Sequence, residues 1–200
     1  MKSVVLGIIL CNSLMFAACT QQNNVNLDAE YNREIADHRA QLDSMFRISK
    51  NSPFYKHKNF THLNFYEPDV RFRIKIKAQT TENPEIVQFQ TNTERKPVYL
   101  KKYLLVFNLI GKQDTLWGFV KNETPNDIFV PFKDLTNGKQ TYYGGRYMDL
   151  KFEPNSDSVW LDFNKAYNPY CHYDTGFSCP LVPFENHLSL AIEAGEKLYH

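Results

Sequence analysis

Neither sign of charge dominates this chain: 23 Lys and Arg stand against 22 Asp and Glu, a formal net charge of +1 over 200 residues. Without a basic excess there is no field to gather nucleic acid, and no nucleic-acid partner is expected. Long apolar runs are missing as well. Val4-Val5-Leu6-Gly7-Ile8-Ile9-Leu10 is followed by Asn12 and Ser13, well short of the ~20 apolar residues of a membrane-spanning helix. There is no internal repeat, and no Gly-x-Gly-x-x-Gly or phosphate-loop pattern to accompany a parallel sheet. The Gly-x-Ser-x-Gly elbow and the His-Glu-x-x-His helix of common hydrolases are absent too, and no cofactor is expected. Cysteine is scarce, at four residues.

What is present begins with an address. Met1 to Ala18 carries Lys2, then the apolar run, then small residues up to Cys19, which is the order of a secretory signal. Phe16-Ala17-Ala18-Cys19 resembles a bacterial lipobox, with Phe16 where Leu is usual. That resemblance implies cleavage after residue 18 and acylation of Cys19. Residues 19–27 are then a polar tether, and the chain is held by lipid to a membrane of the bacterial cell envelope, on its periplasmic or surface side. Cys11 leaves with the signal and Cys19 carries lipid, so Cys171 and Cys179 remain. Outside the cytoplasm such a pair is most simply a disulfide.

Residues 28–200 read as a single mainly β domain. From Asp28 to Ser49 the apolar positions Tyr31, Ile35, Leu42, Met45 and Phe46 recur at helical spacing, with Asp28 placed to cap and Asn51-Ser52-Pro53 to end the run. This N-terminal amphipathic helix is expected to pack on a sheet. Aromatics make up 14% of the chain, a surplus that suits pleated, half-buried strands. Val70, Phe72, Ile74, Ile76 and Ala78 alternate with Arg71, Arg73, Lys75 and Lys77, which puts the apolar side chains on one face and the cations on the other. Further strands are expected at His62 to Tyr66, Glu85 to Thr91, Val98 to Leu109, Thr115 to Val120, Ile128 to Phe132, Arg146 to Phe152, Ser158 to Phe163 and His187 to Glu193. Gly111-Lys112, Asn137-Gly138 and Pro154-Asn155 supply turns. About nine short strands with one helix imply an antiparallel β-sandwich or barrel.

The last third crowds polar, aromatic and turn residues together. It contains Pro131-Phe132-Lys133-Asp134-Leu135-Thr136-Asn137-Gly138, Thr141-Tyr142-Tyr143-Gly144-Gly145-Arg146-Tyr147, Asp162-Phe163-Asn164-Lys165-Ala166-Tyr167-Asn168-Pro169-Tyr170-Cys171, Cys179-Pro180 with Asn186-His187-Leu188, and Gly195-Glu196-Lys197. These stretches closely resemble the bacterial and archaeal family catalogued as domain of unknown function 1684. The resemblance runs from Tyr31 to Lys197 and is dense after Phe129. Upstream the chain departs from the family pattern, with Thr91-Asn92-Thr93-Glu94 in place of Thr-Ser-Thr-Gly and Leu104 in place of a Gly. The family has no assigned activity, so the resemblance implies candidate positions only.

Chemically, Asp134, Thr136, Arg146, Asp162, Asn164, Asn168 and Asn186 offer carboxylate, hydroxyl, guanidinium and amide groups, and Tyr142, Tyr147 and Tyr167 add flat rings with polar tips. Such a set holds a small polar ligand when it lines a pocket. The alternative is that Asp, Asn and Thr close turns while Arg146 pairs with a buried carboxylate to fix the loops. A carboxylate pair, Asp162 with Glu196 or with Asp134, would instead serve a hydrolase in the same pocket. The third reading is a structural or partner-binding envelope protein. Cys171 and His172 are adjacent and cannot form a nucleophile and base with each other in an extended segment. The spacings among Cys171, Cys179 and His187 match no common zinc frame, and no metal is expected.

Overall fold

The structure, a computed structural model, describes residues 9–55, 59–122, 124–152 and 155–199. Among them α1 (Ile9–Ile48) precedes six strands: β1 (Arg73–Gln88), β2 (Val98–Leu109), β3 (Lys112–Lys121), β4 (Thr124–Phe132), β5 (Arg146–Lys151) and β6 (Ser158–Asp162). Every pairing is antiparallel, in the order β5-β4-β3-β2-β1-β6. A bridge between Phe152 and Val159 joins the two ends of the sheet, which therefore nearly closes into a barrel. Its interior is filled by Phe72, Ile76, Leu105, Phe107, Leu116, Ile128, Phe132, Met148, Leu161 and Phe163 with their neighbours.

Mainly antiparallel β with a helix is as expected, but six strands replace nine. The stretches around Val70 to Ala78 and Glu85 to Thr91 are one strand: β1 pairs β6 through Arg73 to Lys77 and β2 through Ala78 to Gln88, turning the corner of the barrel. Its register shifts between Thr80 and Glu85, where Pro84 has no N–H to give a ladder. Val70 leaves the expected apolar face because Val70–Phe72 is a single 3-10 turn capped by Asp69. His62 to Tyr66 and His187 to Glu193 are not strands. They run as extended straps whose amides and carbonyls tie to other loops, with Tyr66 N–H on Gly195 O, Lys197 N–H on Asn64 O and Leu188 N–H on Lys133 O. The β2–β3 hairpin closes on Ile110 and Gly111, both at positive φ (51° and 76°), which is the twist a two-residue turn demands. Of the Pro154-Asn155 turn, Pro154 lies outside the described residues and Asn155 takes φ 55°.

α1 starts earlier than Asp28. No Gly or Pro stands between Ile9 and Ile48, so no break in backbone chemistry stops the helix at Asp28. The first eight residues of the expected signal lie outside the described residues. At the other end the stop is as expected: the Ser52 hydroxyl donates to Phe46 O at 2.5 Å and accepts from the Phe54 amide at 3.0 Å. Tyr31, Ile35 and Phe46 are buried, whereas Met45 stays half-exposed. Among the described residues no helix is long and apolar enough to cross a membrane.

The sheet is covered on both sides. Phe89, Tyr99 and Phe119 form a second cluster with Trp117 and Phe129, and Phe46, Phe60 and Leu63 form a third with Phe54, Tyr170 and Tyr173. The second is made mostly by strand residues of β2, β3 and β4 and the third by the end of α1 with the loops that follow it and β6, and residues of both line the groove described next.

Candidate functional site

Most of the polar residues singled out in the sequence lie inside the protein and are spoken for. Arg146 and Asp134 pair at 2.9 Å, both wholly buried. The rest of the Arg146 fork holds the C-terminal strap by its carbonyls, those of Ile192 at 2.8 Å, Ala194, and Glu196 at 3.2 Å. Asp134 Oδ1 accepts from the Thr136 amide and hydroxyl at 2.8 and 2.6 Å and from the Ile192 amide at 3.2 Å. Thr136 in turn meets the Thr141 hydroxyl at 2.8 Å. This is the arrangement in which a buried cation fixes loops: charge-assisted bonds engage both terminal nitrogens of Arg146, while its Nε stays buried without a partner among the described residues.

Two asparagines act as pieces of backbone. Asn186 accepts from the Trp117 amide at 2.7 Å and donates to Trp117 O at 2.9 Å and Pro131 O at 2.7 Å. Asn164 treats Asp69 alike, accepting at 2.9 Å and donating at 2.8 Å. Asp162 caps the 3-10 turn Phe163–Lys165 and accepts the Tyr31 hydroxyl at 2.8 Å, which ties α1 to the barrel. Burial and the neighbouring Asp162 push the Tyr31 phenol above its ordinary range. Glu196 is fully buried. It accepts the Asn168 amide at 2.9 Å and the Tyr173 hydroxyl, and its carboxyl is pushed up to about 8, chiefly by burial. Gly195, at φ +76°, precedes it where a Cβ would lie 2.5 Å from Phe163 O, so only glycine brings the strap this close.

The tyrosines divide. Tyr142 meets Tyr143 and His172 in tilted ring contacts and places its hydroxyl 3.8 Å from Cys171 Sγ. Tyr147 and Tyr167, with ring centroids 5.9 Å apart at 88°, line a groove of about 850 Å³ between α1 and the outer face of the sheet. Its walls include His38, Leu42 and Met45 from α1, Tyr99 from β2, Phe129 from β4, and Cys179 and Pro180 from the loop behind. Phe129 meets Tyr147 edge-on at 4.9 Å and Tyr99 in a stack at 5.5 Å, so four rings run in series. Tyr147 is locked by its hydroxyl donating to Pro180 O.

Two carboxylates line this groove, Asp127 and Asp149, and Asp149 is the one bonded to a ring hydroxyl. Asp149 accepts the Tyr167 hydroxyl on Oδ2 at 2.7 Å, and its other oxygen has no protein partner among the described residues. Water reaches it from the groove mouth, yet crowding by protein raises its proton affinity, with Asp127 adding to the rise and Tyr167, Lys121 and Lys151 opposing it. The remaining wall charges are engaged: Lys151 with Asp127 at 3.6 Å, Lys165 with Glu34 at 2.6 Å, and Lys121 over the Tyr99 ring at 5.5 Å. Burial lowers the proton affinity of His38.

Thus Tyr147 and Tyr167 come together on a cavity, while Asp134, Thr136, Arg146, Asp162, Asn164, Asn168, Asn186 and Glu196 do not line it. Asp149, Tyr99, Phe129 and His38 were not singled out from sequence. The signal for Asp149 was strand alternation: Tyr147 and Asp149 share one face of β5, and Arg146, Met148 and Leu150 the other. Among the described residues no three His, Cys, Asp or Glu groups are placed to hold a metal ion. Cys171 and Cys179 stand as two thiols where a disulfide was expected, with the Cys171 amide donating to Cys179 Sγ at 3.3 Å.

Comparison with known proteins places this geometry. No curated protein matches the chain. The solution structure of an uncharacterised protein of Haloarcula marismortui is 35% identical in sequence and superposes with a TM-score of 0.67, over 86% of this chain and 96% of that one. Residues 58–197 match the family described as Protein of unknown function (DUF1684). That span takes in β1 to β6, both straps and the Arg146–Asp134 pair, and the chain belongs to this family.

Proposed function

We propose that the protein is a lipid-anchored envelope protein, held by acylated Cys19, that binds a small ligand in the groove between α1 and the outer sheet face. The ligand has a flat apolar body, which lies against Tyr99, Phe129, Tyr147 and Tyr167, and an ammonium or similar donor that reaches Asp149. The observation that carries this reading is the half-used carboxylate beside four rings, in a wall whose lysines are already engaged: rings attract a cation by their faces and Asp149 completes the pairing. It revises the polar ligand expected from sequence, because the Asp134 and Arg146 groups are spent on each other. In an oxidising envelope the Cys171 and Cys179 pair closes as a disulfide.

Thermal unfolding in the presence of tyramine and tryptamine tests the groove, with 3-phenylpropionate as the anionic counterpart. The amines should raise the melting temperature of the wild type, since whatever binds only the native state stabilises it. Asp149→Asn should abolish the rise. No shift by either amine, or a shift that survives Asp149→Asn, overturns the reading. Mass spectrometry of membrane-extracted protein should find an acylated N-terminal Cys19, and an intact Met1 terminus would sink the anchor.

A further inference from the structure

Behind the groove the chain makes a loop that begins and ends in sulfur. Cys171 sits in the 3-10 turn Tyr170–His172, and Cys179 returns beside it. The Cys171 amide donates to Cys179 Sγ at 3.3 Å, which sets the two residues side by side. Their surroundings differ. Cys179 is 7% exposed and its amide is pinned by Asn92 Oδ1 at 2.8 Å, while Asn92 Nδ2 holds Phe177 O at 2.8 Å. Cys171 is partly open to solvent, with the Tyr142 hydroxyl 3.8 Å from its sulfur. His172 is turned elsewhere, since its Nε2 accepts the Tyr199 amide at 3.2 Å.

We propose that Cys171 and Cys179 form an exchange-active dithiol that takes disulfides as its substrate class, with Cys171 attacking and Cys179 resolving. The assignment rests on the pair's own geometry and is independent of what the groove holds. In the first step the Cys171 thiolate attacks one sulfur of a disulfide RS–SR; that S–S bond breaks and one RS⁻ leaves. In the second, the Cys179 thiol gives its proton to the departed thiolate and its sulfur attacks Cys171. The mixed disulfide breaks, the second RS⁻ leaves and takes up the proton lost by Cys171, and the Cys171–Cys179 bond is made. The protein dithiol is oxidised by two electrons and the substrate is reduced to two thiols, so the exchange balances without a metal or cofactor.

The electrostatics suit this polarity. The Cys179 thiol and then the Tyr142 hydroxyl lower the proton affinity of the Cys171 sulfur, with burial opposing them, and the thiolate is the attacking form. Cys179 is pushed up by the same shared proton and by burial. Once Cys171 is tied up in the mixed disulfide it no longer claims that proton, and Cys179 is released to resolve. A purely structural pair needs no such difference between its two sulfurs.

The test uses the full chain, reduced and freed of reductant, then exposed to oxidised glutathione at neutral pH and read by peptide mapping at Cys171 and Cys179. The wild type should lose both thiols to an internal bond and keep no glutathione. Cys179→Ser should trap glutathione on Cys171, and Cys171→Ser should trap it on Cys179 about tenfold more slowly or worse, as buried thiols are inert. Iodoacetamide on the reduced wild type gives a readout without substitution: Cys171 should be alkylated about tenfold ahead of Cys179. Equal rates at the two sulfurs, attack at Cys179 first, or no reaction of either thiol in protein with native near-ultraviolet circular dichroism would overturn the proposal.

Discussion

Arg146 and Asp134 meet at 2.9 Å with neither side chain reaching solvent, and between them they hold the last strap of the chain against the barrel. Removing one partner leaves the other charged, buried and alone. Arg146→Ala is therefore expected to destabilise the protein by about 3 to 5 kcal/mol, the usual cost of breaking a buried ion pair from one side. Denaturant melts should show the loss. A change within a few tenths of a kcal/mol of zero would mean that Arg146 is not the tie described here.

The Asn186 amide stands in for a strand partner of Trp117. Asn186→Ala would leave the Trp117 amide, Trp117 O and Pro131 O without it, at about 1 to 3 kcal/mol for each group that stays buried and unsatisfied. Asn186→Asp keeps the shape but loses both donors and buries a charge, so it should be at least as damaging. Urea midpoints compared at unchanged slope would rank the two.

How much of this was legible beforehand depends on the distance over which each signal acts. Strand β2 was expected from Val98 to Leu109 and is found there, because alternation and turn residues are local signals. The inward face of Phe72, Ile76 and Ala78 was legible for the same reason. The roles of Asn186 and Asn164 were not, since their partners lie 69 and 95 residues away and an amide declares nothing about what it will pair with. Arg146 was readable in principle. It shares a strand face with Met148 and Leu150, which marks it as a core position, and pairing with a buried carboxylate was one of the two readings open to it and is the arrangement found. The groove was invisible, because α1, β2, β4, β5 and the Cys179 loop each contribute a part of it.

The β2–β3 turn contains a conformational mismatch. Ile110 is 65% exposed and held at φ 51°, in the left-handed region that a β-branched side chain resists. Ile110→Asn would put Asn-Gly, the preferred pair for this turn, at a site where nothing apolar is lost from the core. A gain of about 1 kcal/mol is expected from the relieved strain. A thermal melt that moves down would show that Ile110 makes a packing contribution outweighing its backbone.

The last expectation concerns pH and follows from Glu196. Its carboxyl ordinarily titrates near 4.5, and in the folded protein it is pushed up to about 8, first by burial and with Asp43 adding to the rise, while the Asn168 hydrogen bonds and Arg146 oppose it. Between those two values the native state holds a proton that the unfolded chain has released. Stability from this group is therefore fully present below about 4.5 and is lost as pH rises through about 8, on the order of a few kcal/mol in all. His38 pulls the other way. Burial lowers its proton affinity, so its contribution is lost as pH falls below its ordinary 6.5. The two slopes overlap, and the wild-type profile alone would blur them. Glu196→Gln separates them, because an amide accepts from the Asn168 amide as before but does not titrate. Its stability relative to wild type should be lowest at acid pH and climb steadily towards pH 8, with the His38 slope left intact. A difference between the two proteins that stays constant across that range would show that Glu196 carries the same charge folded and unfolded.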